Sequence, residues 1–94
     1  MFLLLNRYLK PIEEVERVLP EHRAFMDQHY KSGLFILSGP QVPRTGGVTL
    51  TADAPRSVIE AIIAGDPFVR EGITEYEIIE FSATKRAEWF TPRA

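Results

Sequence analysis

Gly33-Leu34-Phe35-Ile36-Leu37-Ser38-Gly39-Pro40, and after a short loop Gly46-Gly47-Val48-Thr49-Leu50-Thr51, is the stretch on which the architecture turns. Its first part is a continuous apolar run of strand length. Its second is a short strand opened by two glycines. Two strands thus follow one another with no helix between them. The connection, residues 41–45, is a loop carrying Pro43.

Upstream, residues 2–9 read as a strand that is apolar on both faces except at Asn6 and Arg7. Pro11 opens a helical stretch, with Glu13, Glu14 and Glu16 favourably placed in its first turns. Val15, Val18 and Leu19 give it an apolar side. Pro20 cannot donate to the helical ladder, so a break and a fresh helix are expected there, ending near Ser32 with Gly33 as the C-terminal cap. Downstream, Asp53 and Pro55 mark the next helix, whose expected core stripe is Val58, Ile59, Ile62 and Ile63. A last strand spans about residues 73–81, and residues 82–94 form a tail without period that carries Trp89 and Phe90.

The order is therefore β-α-β-β-α-β, and the expected fold class is α+β. Such a chain most simply makes a four-stranded antiparallel sheet with both helices on one face, the ferredoxin-like arrangement, with right-handed crossovers. Two helices cover only one face, yet both faces are apolar. Phe2 and Leu4 oppose Leu3 and Leu5, Leu34 and Ile36 oppose Phe35 and Leu37, and Tyr76 and Ile78 oppose Ile79 and Phe81. An open antiparallel sheet in a monomer alternates apolar and polar positions instead. A second copy packed face to face about a two-fold axis supplies the missing cover, so a homodimer is expected, with the aromatic tail as a candidate contact.

Ninety-four residues make one domain, residues 1–94. At 45% hydrophobic and 26% charged the chain is of globular composition. A net charge of −2, with three lysines and eight arginines scattered along the chain, argues against nucleic acid or an anionic membrane as partner. The absence of cysteine removes disulfides, thiolate nucleophiles and cysteine-ligated zinc. The apolar start is too short for a membrane span and lacks the basic residue of a signal peptide, so a cytoplasmic protein is expected.

Two residues carry the chemistry. His22 shares a helical face with Phe25, Met26, His29 and Tyr30 at i, i+3, i+4, i+7 and i+8, in line with the residues facing the sheet. Asp66 stands in the turn Gly65-Asp66-Pro67-Phe68. An imidazole and a carboxylate brought together make a proton-transfer dyad, the acid fixing the ring tautomer. Blander readings exist for each: a core-edge histidine satisfied by a backbone carbonyl, and an aspartate capping a helix that begins at Pro67. One carboxylate can do both. His29 lies two turns from His22, about 10 Å along the axis, too far to share an ion, so no metal site is expected. His29 reads as an exposed or half-buried residue near the helix end, where positive charge is favoured. Ser38 lacks the elbow of a serine nucleophile and reads as a donor at a pocket rim shaped by Gly39 and Pro40. Arg23 and Arg7 are candidates for an anionic group, or plain solvated charges.

Taken together, Pro20-Glu21-His22-Arg23, Gly33-Leu34 leading to Ser38-Gly39-Pro40, Gly65-Asp66-Pro67-Phe68 followed by Gly72, and Glu77-Ile78-Ile79-Glu80-Phe81 resemble the YCII-related family over nearly the whole chain. That resemblance implies a dimeric α/β-barrel of ferredoxin-like subunits and a His–Asp pair in a pocket, matching His22 and Asp66. Among similar barrels are enzymes of small ring compounds, including a dechlorinase of chlorinated hydroxybenzenes. The short loop at residues 41–47 departs from the family pattern at the pocket rim.

The expectation is a small cofactor-free enzyme moving a proton on a small cyclic or aromatic substrate by elimination, lyase, isomerase or dehalogenating chemistry. His22 and Asp66 are its catalytic pair. Arg23, Ser38, Gly39, Pro40 and Phe68 line the pocket, Phe68 as an apolar wall. The rivals are a non-catalytic small-molecule-binding or accessory dimer, and a cofactor-free monooxygenase.

Overall fold

The computed structural model describes residues 1–90. Its elements are β1 (Phe2–Tyr8), α1 (Ile12–Lys31), β2 (Phe35–Pro40), β3 (Gly46–Thr51), α2 (Arg56–Ala64), α3 (Pro67–Arg70) and β4 (Thr74–Glu80). The strands form one sheet in the order β2-β3-β1-β4, every neighbouring pair antiparallel. With its helices on one face this is the ferredoxin-like α+β fold. α3 is a single turn absent from the six-element order expected above, although Asp66-Pro67 is the pair that starts it.

Register divides the sheet into two unlike faces. Leu4 of β1 stands opposite Thr49 of β3 and Ile78 of β4, while its neighbour Leu3 stands opposite Leu50 and Ile79. The Leu4 face lies under the helices. Phe2, Leu4, Phe35, Met26 and Ile59 make one buried cluster there, and Val15, Val18, Phe68 and Ile73 a second. Each such side chain contributes about 1.5–3 kcal/mol by leaving water. On the other face Leu3, Leu5, Val48 and Leu50 remain partly accessible, and Leu37 and Ile79 are exposed by 54% and 38%.

The expected break at Pro20 does not occur: α1 runs through it as one helix of 20 residues. Proline inside a helix costs about 3 kcal/mol through a lost hydrogen bond and ring crowding. Val15 and Val18 anchor the helix before Pro20 and Met26 anchors it after, and their burial outweighs that cost. Pro20 itself faces solvent, where water can satisfy the carbonyl it leaves unpaired. A second correction concerns α2: of the four stripe residues only Ile59 is fully buried, and Val58 is 41% exposed at the edge of the layer.

Geometry requires glycine at positions 33 and 46, among others. Gly33 follows α1 at φ +83°, a conformation that other residues adopt only under strain. Gly46 runs so close to β1 that a Cβ there would lie 1.8 Å from the Asn6 carbonyl oxygen. Trp89, near the end of the described tail, is exposed, and residues 91–94, the end of the proposed tail contact, lie outside the described residues.

Candidate active site

α1 spans both buried clusters, and His22 sits between the two, one turn past Val18 and one before Met26. Its imidazole is 12% exposed. Asp66, which ends the α2–α3 connection, is fully buried. The two side chains meet: Nδ1 of His22 lies 2.9 Å from Oδ1 of Asp66. The same oxygen accepts the Phe68 backbone N–H at 2.9 Å, so capping of α3 and contact with the imidazole coexist on one carboxylate. A carboxylate only accepts, which assigns the proton to Nδ1 and leaves Nε2 as the free ring nitrogen.

Phe68 does more than wall the pocket. Its ring lies parallel to the imidazole, centroids 3.9 Å apart and planes 9° from coincidence, and it is itself buried. Together Asp66 and Phe68 fix both the direction and the plane of the His22 ring.

The ring borders a cavity of about 620 Å³ between α1 and the sheet. This is within the usual size of a small-molecule site, roughly 300–1,000 Å³. Arg23, Ser38, Gly39, Pro40 and Phe68 all line it. Arg23 is exposed and pairs with no carboxylate among the described residues. Ser38 hydrogen-bonds the Tyr30 hydroxyl at the far end of the cavity. Arg7 is not part of the site: it lies on the uncovered face, paired with Glu75.

Sequence reasoning missed three contributors. Tyr76 of β4 donates its hydroxyl to Oδ2 of Asp66 at 2.7 Å. Burial, then the charge of Asp66, pushes its ionisation well above the ordinary tyrosine range. Arg44 reaches from the β2–β3 loop to Glu16 of α1 at 2.7 Å, both lining the cavity. That contact, more than any other, holds its guanidinium pKa above the ordinary value. Tyr30 is the partner of Ser38. Tyr76 and Arg44 depend on pairings between distant segments that no local pattern marks, whereas Tyr30 stands on the helical face already read for His22 and only its contact with Ser38 is not legible. Near the sheet centre Asn6, itself buried, leaves its Oδ1 without a hydrogen-bond partner.

His29 departs from expectation in its charge, not in its position. It is half-buried against Phe25 and Phe35, and loss of water lowers its pKa, so positive charge is disfavoured there. Among the described residues no group of three His, Asp or Glu side chains is arranged to hold a metal ion, and no helix is long and apolar enough to cross a membrane.

A family model described as the YCII-related domain matches residues 1–82. Among solved structures, 5-chloro-2-hydroxyhydroquinone dehydrochlorinase (TftG) from Burkholderia phenoliruptrix AC1100, in complex with 2,5-dihydroxybenzoquinone, is similar with a TM-score of 0.72. The alignment covers 87% of this chain and 94% of that one at 15% identity, a likeness of fold. No curated protein matches the chain.

Proposed function

This chain belongs to the YCII-related domain family, and from that membership and the site geometry we propose an enzyme that moves a proton on a small cyclic or aromatic metabolite. In this reading residues 1–94 act as one domain and His22 is the general base or acid. The observation that carries it is the 2.9 Å contact between the imidazole and a fully buried carboxylate, at the edge of a cavity. Asp66 holds the neutral ring with Nε2 free and supports the charged ring once a proton arrives.

For elimination, Nε2 accepts a proton from a carbon beside a polarised C–X bond. The C–H electrons form the new π bond, and X departs as its anion with the C–X pair. Deprotonation of His22 by solvent then completes the loss of HX. Lyase and isomerase steps use the same proton transfer, and none requires a cofactor. Arg23, the unpaired cation on the wall, suits an anionic oxygen of the substrate. Ser38, Gly39 and Pro40 shape the opposite side. The fold neighbour named above, a dehydrochlorinase of a chlorinated hydroxyhydroquinone, supports trying halogenated hydroxybenzenes first.

The uncovered sheet face extends the proposal to a homodimer joined through Leu3, Leu5, Val48, Leu50, Leu37 and Ile79, giving a cytoplasmic two-subunit protein with no nucleic acid or membrane partner.

The experiment is a turnover screen over hydroxylated and halogenated ring compounds, following halide and proton release. His22→Ala and Asp66→Asn should each lower kcat by ~10²–10⁴-fold, the usual share of positioned acid–base catalysis. Thermal melts should show that both variants remain folded. Unchanged rates in both would remove the roles, and ligand binding without turnover anywhere in the screen would leave a holding module.

A further inference from the structure

We infer that Tyr76 is a positioning residue for the His22–Asp66 pair, its hydroxyl holding the second carboxylate oxygen so that the first meets the imidazole. Asp66 is fully buried, so protein groups must satisfy it. Oδ1 takes two donors, the Phe68 N–H and the His22 ring, whereas Oδ2 takes its hydrogen bond from Tyr76, at 2.7 Å. The three donors come from α3, α1 and β4, so the carboxylate plane is set by three separate elements.

Tyr76 does not line the cavity, so it reaches substrate only through Asp66. Its position is fixed by the sheet, where it stands opposite Asn6 of β1. Because ionisation of the buried phenol is strongly disfavoured, it remains a donor across the working pH range.

Donation to Oδ2 draws negative charge away from Oδ1 and moderates the pull of Asp66 on the imidazolium. Removing the hydroxyl should therefore raise the proton affinity of His22. The other ionisable groups lining the cavity that the ring borders are Glu16, Arg23, Asp27 and Tyr30 from α1, Tyr8 from β1 and Arg44 from the β2–β3 loop. A substitution at Tyr76 changes none of them.

The test is a histidine-ring ¹⁵N NMR titration of the full chain and its Tyr76→Phe variant, assigned with His29→Asn. The His22 midpoint should rise by roughly 0.5–1 pH unit, the scale of one hydrogen bond to a charged group divided over a coupled pair. His29, the second of two histidines, should not move. Site-specific 3-fluorotyrosine at position 76, a stronger donor of nearly the same size, should move the His22 midpoint the other way and protects the experiment from a folding defect. A His22 midpoint unmoved in either protein overturns the inference, as does an equal shift at both histidines. The catalytic arm rests on the proposed acid–base reading: the acid limb of kcat/KM should follow the NMR midpoint upward. A shifted midpoint in a protein with no turnover keeps Tyr76 as positioner and sinks the enzyme.

Discussion

Each face of the sheet carries residues that the usual division of apolar inside and polar outside would not place there. Under the helices, where water is excluded, lie Asn6, Thr49, Thr51 and Thr74, with Asp66 beside them, all buried. On the face without helices lie Leu3, Leu5, Val48, Leu50 and the exposed Leu37 and Ile79. Buried polar groups cost stability unless paired, and exposed apolar ones signal a missing partner. The difference teaches that one face holds the polar groups around the candidate site, while the other carries apolar residues that no helix covers.

The largest expected effect comes from emptying the polar centre. Asp66→Ala leaves the His22 ring, the Phe68 N–H and the Tyr76 hydroxyl without their acceptor. Chemical denaturation should register a loss of about 3–5 kcal/mol, as when one member of a buried pair is removed, with turnover falling at least ~10²-fold. A stability unchanged within error would mean that the covered face is not organised around this carboxylate. Next is Leu5→Asp on the other face. It should leave each subunit folded and weaken self-association at least ~100-fold, since burying an unpaired charge is worth several kcal/mol. Sedimentation equilibrium reads this directly, and a parent protein that is monomeric would break the comparison outright.

Smaller still is Phe68→Leu, which keeps an apolar filler but removes the ring stacked on His22. A cost of about 1–1.5 kcal/mol is expected in thermal or denaturant melts. The accompanying rise in KM or fall in kcat would tell whether the plane of the imidazole matters. The smallest effect concerns His29. Its folded pKa lies below the ordinary 6.5, so the unfolded chain binds more protons, and stability rises with pH up to about that value and is reduced below it. His29→Asn should flatten this rise in stability measured between mildly acidic and neutral pH. A steeper slope in the variant would reverse the sign assigned here.

The chain announces most of this fold because its elements repeat locally. The strand runs around Leu3, Phe35 and Ile78, and the apolar stripe through His22 and Met26, each need only a few consecutive residues. Pro20 misleads for the opposite reason: a local rule predicts a break, while two clusters far apart in sequence hold the helix straight through it. Val58 fails similarly, since periodicity marks a stripe but not where its edge meets solvent. His22 and Asp66 are visible as residue types in expected surroundings, and their meeting agrees with the family resemblance. Tyr76 is invisible. It is one alternating position in β4, and only the pairing of β4 with β1 and the path of the α2–α3 connection bring its hydroxyl to Asp66.

The uninterrupted α1 has one more result. His22 and Tyr30 ride on the same rod, eight residues or about 12 Å of axial rise apart. The His22 imidazole at one end and the hydroxyl pair at the other thus keep a fixed spacing, whatever the hairpin loop does. The helix serves as a ruler: a compound short enough to touch only His22 leaves the far hydroxyls to water, and one matched to the full span engages both.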